Sequence, residues 1–189
     1  MIDPATVAFD IDGVCADTMS LFLDIAREEY HINHIRYEDI RSYRLDECLA
    51  IDSEIIQDII TRILDGNYTV PLRPICGAPQ VLKRIGQLYG PVVFITARPY
   101  LGPIGQWILD ELDLNSDQVE VIATGSFEGK VDVVLERNIG CFVEDRLETC
   151  FSLSQVGVAP VLFRQPWNRK PHPFVEISSW PQLENLIGF

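Results

Sequence analysis

The chain has 189 residues, 47% apolar and 10% aromatic, enough to bury one sizeable core with a small appended lobe and too many for a disordered chain. Its 15 Lys and Arg stand against 28 Asp and Glu, a formal charge of −13 that repels nucleic-acid backbones and anionic lipid alike. Polymeric nucleic acid and membrane surfaces are therefore not expected partners, and a site for any small phosphate needs a metal ion and a few well-placed cations.

The first predicted element is a buried strand over residues 6–11 (TVAFDI), β-branched and aromatic, which stops in a turn at Gly13. Residues 19–73 then hold helical patterns at 20–29 and 53–64 but no convincing strand, and read as a helical insertion. Beyond it, strand and helix alternate: a helix at 78–89, a strand at 91–96, a helix at 105–112 and a strand at 118–123. The alternation continues with a helix at 131–137, a strand at 139–143, a helix at 148–156 and a strand at 158–163. Residues 165–173 read as a loop before a short closing segment. This rhythm predicts an α/β fold, a Rossmann-like parallel sheet with helices on both faces, with a core of residues 1–17 and 74–189 and a small helical cap at 18–73 inserted after the first strand.

Open parallel sheets bind ligands at the carboxyl ends of their strands, so the polar residues there carry the functional reading. Asp10 and Asp12 end the first strand; residues two apart in a strand share a side, so the two carboxylates are expected to converge, with Gly13 turning the backbone beneath them. Their plainer reading is an ordinary Asp-x-Asp-Gly turn. Thr96, Ala97 and Arg98 follow the second buried run, where a hydroxyl and main-chain amides can hold phosphate oxygens; the plainer reading of Thr96 is a helix N-cap. Lys130 opens a helical pattern and can neutralise phosphate, although a lone Lys is more often a surface charge. Glu144 and Asp145 end a further run as adjacent acids suited to a hard cation.

The words VAFDIDGV (7–14), VFITAR (93–98), Lys130 and FVEDR (142–146) resemble the four motifs of the haloacid dehalogenase-like superfamily of phosphatases. A narrower resemblance, through GAPQVLKRI, ITARP, EDR and LFRQPWNR (162–169), is to the 5'(3')-deoxyribonucleotidase family; Glu144 and Ala97-Arg98 depart from its usual residues. The resemblance implies that Asp10 is a nucleophile forming an aspartyl-phosphate and that Asp12 transfers the proton. It also implies Mg²⁺ among Asp10, Asp12 and Asp145, with Glu144 ligating or holding a metal-bound water, and phosphate on Thr96, Ala97, Arg98 and Lys130. The expected substrate is a small phosphorylated metabolite, foremost a nucleoside monophosphate. A phosphotransferase, a phosphatase for another metabolite and a non-catalytic phosphate-binding module are the alternatives.

Other residues carry less. Cys15, Cys48, Cys76, Cys141 and Cys150 are odd in number without a C-x-x-C pair and read as reduced thiols, and His31, His34 and His172 lack any metal-ligand spacing. Trp107, Trp167 and Trp180 read as core or loop packing, and Arg41, Tyr43 and Arg44 as surface more than substrate-facing groups. No basic leader followed by an apolar run and no stretch of about 18 apolar residues is present, so a cytoplasmic location is expected. Oligomeric state is left open, a homodimer included.

Overall fold

The computed structural model describes all residues, 1–189. Six parallel strands form one sheet: β1 (Val7–Phe9), β2 (Val92–Thr96), β3 (Val119–Ala123), β4 (Cys141–Glu144), β5 (Ala159–Phe163) and β6 (Val175–Ile177), in spatial order β3-β2-β1-β4-β5-β6. Five lie where sequence patterning put them; β6 is an addition, a three-residue edge strand in the segment read only as closing. Its first two residues are exposed, and so short a run shows no alternation to read.

The central strands β1, β2 and β4 are short and largely buried, and consecutive residues serve opposite faces. Ala8, Ile95 and Phe142 pack with Val134 and Leu153, from helices α5 (Gly129–Glu136) and α6 (Leu147–Gln155). Phe9, Phe94, Val143 and Phe163 join the larger cluster on the other side, where Trp180 of α7 (Trp180–Leu186) is fully enclosed, its ring tilted 32° to that of Phe9 at 5.6 Å, with α3 (Ala78–Tyr89) alongside. Helices therefore cover both faces of a parallel sheet, an α/β Rossmann-like arrangement. Strand order reverses between β1 and β4, which opens a crevice at their carboxyl ends.

Between β1 and α3 the chain leaves and re-enters through a narrow neck. Asp17 N–H donates to Arg73 O at 2.9 Å, Ile75 N–H donates to Cys15 O at 2.7 Å, and Ala16 bridges antiparallel to Pro74. The excursion carries α1 (Thr18–Tyr30), capped by Asp17, and α2 (Ser53–Asp65), capped by Asp52 and closed by Gly66 at φ +72°. The two helices pack on each other, and α2 also meets α4 (Gly102–Glu111). All five cysteines are free thiols, and no helix is long and apolar enough to cross a membrane.

Candidate active site

Asp10 sits just past β1, its N–H still donating to Val143 O at 2.9 Å across the sheet. Asp12 does not lie on the strand. The chain has already turned, with the Cys15 and Ala16 N–H groups both reaching Ile11 O at 2.9 Å and Gly13, at φ +77°, donating to Ala16 O. Both aspartates line the same cavity, as expected, but the turn brings them together rather than the pleat of a strand.

Four charged side chains meet at the switch point. Lys130, on the first turn of α5 and fully buried, lies 2.9 Å from Asp10 Oδ1 and 2.8 Å from Glu144 Oε2, so it is not the surface charge a lone Lys usually is. Glu144 Oε1 accepts from the N–H groups of Asp145 and Arg146 at 3.1 and 3.0 Å. Asp10, Glu144 and Asp145 each offer an oxygen within 4.8 Å of the others, and all three are buried. One ammonium does not neutralise three carboxylates. Burial first, then the charge of Glu144, pushes the Asp10 carboxyl well above its usual range, and burial followed by Glu144 and Asp10 does the same to Asp145. Burial also opposes ionisation of Glu144, but Lys130 outweighs it and holds that group below its usual value. Asp145 Oδ1 is buried without any hydrogen-bond partner, an oxygen that asks for a cation. An all-oxygen, net-negative, dry cluster of this kind fits a hard divalent ion.

Asp12 is held from two sides. Thr18 Oγ1 donates to its Oδ1 at 2.6 Å, and Arg98 grips both oxygens, Nη2 to Oδ1 at 2.7 Å and Nε to Oδ2 at 2.9 Å. Burial raises the Asp12 pKa, yet the Arg98 and Thr18 contacts outweigh it and leave it below the usual value. Arg98 also reaches Ile63 O in the last turn of α2 at 3.4 Å, so one buried side chain ties the helical excursion to the sheet. Thr96 is no helix N-cap, since α4 starts at Gly102; it closes β2, is buried, and its Oγ1 accepts the Arg98 N–H at 3.2 Å. Ala97 lines the cavity beside it.

The loop after β5 supplies what the residue pattern did not reveal. Trp167, read as packing, donates its Nε1–H to Asp145 Oδ2 at 2.9 Å. Asn168 Nδ2 donates to Asp145 O at 2.7 Å and to Phe163 O at 2.8 Å, while Gln165 Nε2 reaches Gly13 O at 2.7 Å and its Oε1 accepts from Tyr37 at 2.9 Å. This segment fixes Asp145 and the Gly13 turn against one another. Above lies a cavity of about 510 Å³, roofed by the helical excursion. Tyr43 and Arg44 are exposed, as read, and also line it, with Tyr43 edge-on to Phe127 at 5.4 Å; Arg41 borders a different depression. Phe127, from the turn before α5, had no signal of its own in the sequence.

The sequence profile of the 5' nucleotidase, deoxy (pyrimidine), cytosolic type C protein (NT5C) family matches residues 4–189. The chain belongs to this family. It is thus a phosphomonoester hydrolase built on the haloacid dehalogenase-like fold. Solved structures agree in fold: a HAD-superfamily hydrolase, subfamily IA, variant 1, from Geobacter sulfurreducens has a TM-score of 0.61 at 19% identity, covering 96% of this chain and 95% of its own. A HAD-superfamily hydrolase from Ehrlichia chaffeensis gives 0.58 at 14% identity, over 98% and 97% of the two chains. A haloacid dehalogenase-like family hydrolase from Streptococcus pneumoniae gives 0.61 at 10% identity, over 98% of each. No curated protein matches this nucleotidase-family chain by sequence.

Proposed function

We propose that the chain is a magnesium-dependent phosphohydrolase that acts through an aspartyl-phosphate on Asp10 and takes nucleoside monophosphates, in the cytoplasm, with residues 18–73 as a cap over a core of 1–17 and 74–189. The observation that carries this reading is the meeting, at one switch point, of Asp10, Lys130 at 2.9 Å and a buried Asp145 with an unbonded oxygen. Asp10, Asp145 and the Asp12 main-chain carbonyl would hold Mg²⁺, with Glu144 adding its charge behind them. The ion, when bound, neutralises charge on the phosphoryl group in transfer.

The chain's own groups do the rest. Lys130 occupies Asp10 Oδ1 and leaves Oδ2 as the attacking oxygen. That oxygen bonds to phosphorus as the ester P–O bond breaks, and Asp12, a carboxylate at rest, passes to the departing alcohol oxygen the proton that the phosphate monoanion brings in. Asp12, now a carboxylate steadied by Arg98 and Thr18, then takes a proton from water. The water oxygen attacks phosphorus, the Asp10–phosphorus bond breaks, and inorganic phosphate leaves. Because Arg98 N–H already occupies Thr96 Oγ1 as an acceptor, the hydroxyl hydrogen remains for a phosphate oxygen, beside the Ala97 amide and the third hydrogen of Lys130. The Arg98 guanidinium is spent on Asp12 and does not serve a second anionic group.

The test is phosphate release in magnesium buffer from dUMP, UMP and a sugar phosphate, with the Asp10→Asn protein beside the native one. Nucleotides are expected to be hydrolysed without strong deoxyribose preference. The Asp10→Asn protein, whose carboxamide cannot form the acyl-phosphate, is expected to lose several orders of magnitude in turnover. A sugar phosphate favoured by more than about tenfold, roughly 1.4 kcal/mol, ends the nucleotide reading; near-native turnover in folded Asp10→Asn ends the mechanism.

A further inference from the structure

The far wall of the cavity is one stripe of α2. Ser53, Ile56, Gln57, Ile60, Ile63 and Leu64 line it, at the i, i+3, i+4, i+7 spacing that puts side chains on one helix face. The stripe is aliphatic except for Ser53 and Gln57, and Gln57 is the only side chain in it with both a donor and an acceptor in one plane. The Gln57 carboxamide has no partner within the chain, while its main-chain carbonyl accepts from Thr61 Oγ1 at 2.9 Å. The same cavity is lined by the edge-to-face pair of Tyr43 and Phe127, which supplies aromatic surface at 5.4 Å between centroids and an interplanar angle of 86°.

The cations of this chamber are already paired. Its three cationic side chains each hold an acid: Lys130 holds Asp10 and Glu144, Arg98 holds Asp12, and Arg44 pairs with Asp46 at 2.8 Å and Glu47 at 3.1 Å. Nothing there is left to neutralise a second phosphate or a carboxylate, and the walls offer few partners for a polyhydroxylated sugar chain. A flat, uncharged leaving group with one polar edge matches what the walls present.

Building on the phosphomonoesterase reading above, we infer that Gln57 is a specificity-determining residue that reads the donor–acceptor edge of an uncharged heterocycle carried by the substrate's alcohol half. A carboxamide pairs with an adjacent N–H and acceptor in two hydrogen bonds, and by rotating its amide it serves either order of the two. Its role is to tell such an edge from plain apolar surface, not to rank one heterocycle against another. Because α2 belongs to the excursion and Asp12 is tied to it through Arg98 and Ile63, the reading surface and the proton-transfer group are part of one connected assembly.

The experiment compares uridine 5'-monophosphate with its analogue carrying a phenyl ring in place of uracil, which keeps sugar and phosphate and has no donor or acceptor on the ring. Native and Gln57→Met proteins are assayed in magnesium, Met preserving length without the amide, and melting midpoints confirm that both are folded. The native protein is expected to favour the uracil substrate in kcat/KM by about tenfold or more, a preference that Gln57→Met reduces to within about twofold, with the loss in KM and not in kcat. A preference undiminished in Gln57→Met, or none in the native protein, overturns the inference while hydrolysis of both compounds leaves the nucleotidase reading standing. Hydrolysis of neither compound overturns both.

Discussion

Replacing Gly13 by Ala tests whether the turn beneath the nucleophile exists to seat Asp145. The residue has φ +77°, in the left-handed region, where a Cβ costs about 1–2 kcal/mol. Worse, that Cβ would lie 2.3 Å from Asp145 Oδ2, 2.9 Å from its Cγ and 3.1 Å from Trp167 Cζ2. Asp145 is only 1% exposed, so its carboxylate has no solvent to turn into. Turning it breaks the 2.9 Å bond from Trp167, a hydrogen bond to a charged group of the kind that contributes about 1.5–3 kcal/mol. Backbone strain and the lost bond sum to about 2.5–5 kcal/mol, which for a chain of this size lowers the melting midpoint by roughly 5–20 °C. Displacing a metal-ligand carboxylate by about 1 Å is also expected to cut turnover about a hundredfold and raise the magnesium concentration needed for half-activity. Thermal melts and a magnesium titration of phosphate release measure both. A folded Gly13→Ala protein with native turnover and an unchanged magnesium midpoint would refute the coupling between Gly13 and Asp145.

Lys130→Met leaves Asp10 and Glu144 buried and facing each other without their cation, and a broken buried ion cluster costs about 3–5 kcal/mol; a melting midpoint within about 2 °C of native contradicts this. Chelation is expected to abolish activity and magnesium to restore it, whereas calcium, larger and less strict in geometry, fails to substitute; full activity after exhaustive chelation removes the metal from the scheme. Magnesium is further expected to raise the melting midpoint of the native protein by filling the place that the unbonded Asp145 oxygen leaves, and to do so much less in Asp145→Asn, a readout independent of turnover.

The alternation of buried runs with amphipathic segments, and the placing of Asp10, Thr96 and Asp145 at the ends of separate runs with Lys130 at the start of a helix, were legible in the sequence because period-two and period-3.6 patterns are local and strand ends in a parallel sheet converge by construction. Charge balance also spoke from sequence: an acidic chain with a phosphate motif requires a cation, and the structure holds an acidic cluster with an unsatisfied oxygen. What tertiary structure alone decided are pairings between residues far apart in the chain. Arg98 could serve an extra anion or a neighbouring acid, and only the fold brings it against Asp12, 86 residues away. Trp167 carries an apolar body and a single N–H, so composition favours packing; that the N–H meets Asp145 depends on how the loop after β5 folds over the sheet. Tyr43 and Arg44 sit in an irregular stretch with no periodicity to assign a face, and β6 is too short to show any. Local pattern fixes which residues are buried and in what element, whereas partners across the chain follow from the angles at which those elements are packed, and no local pattern encodes those angles.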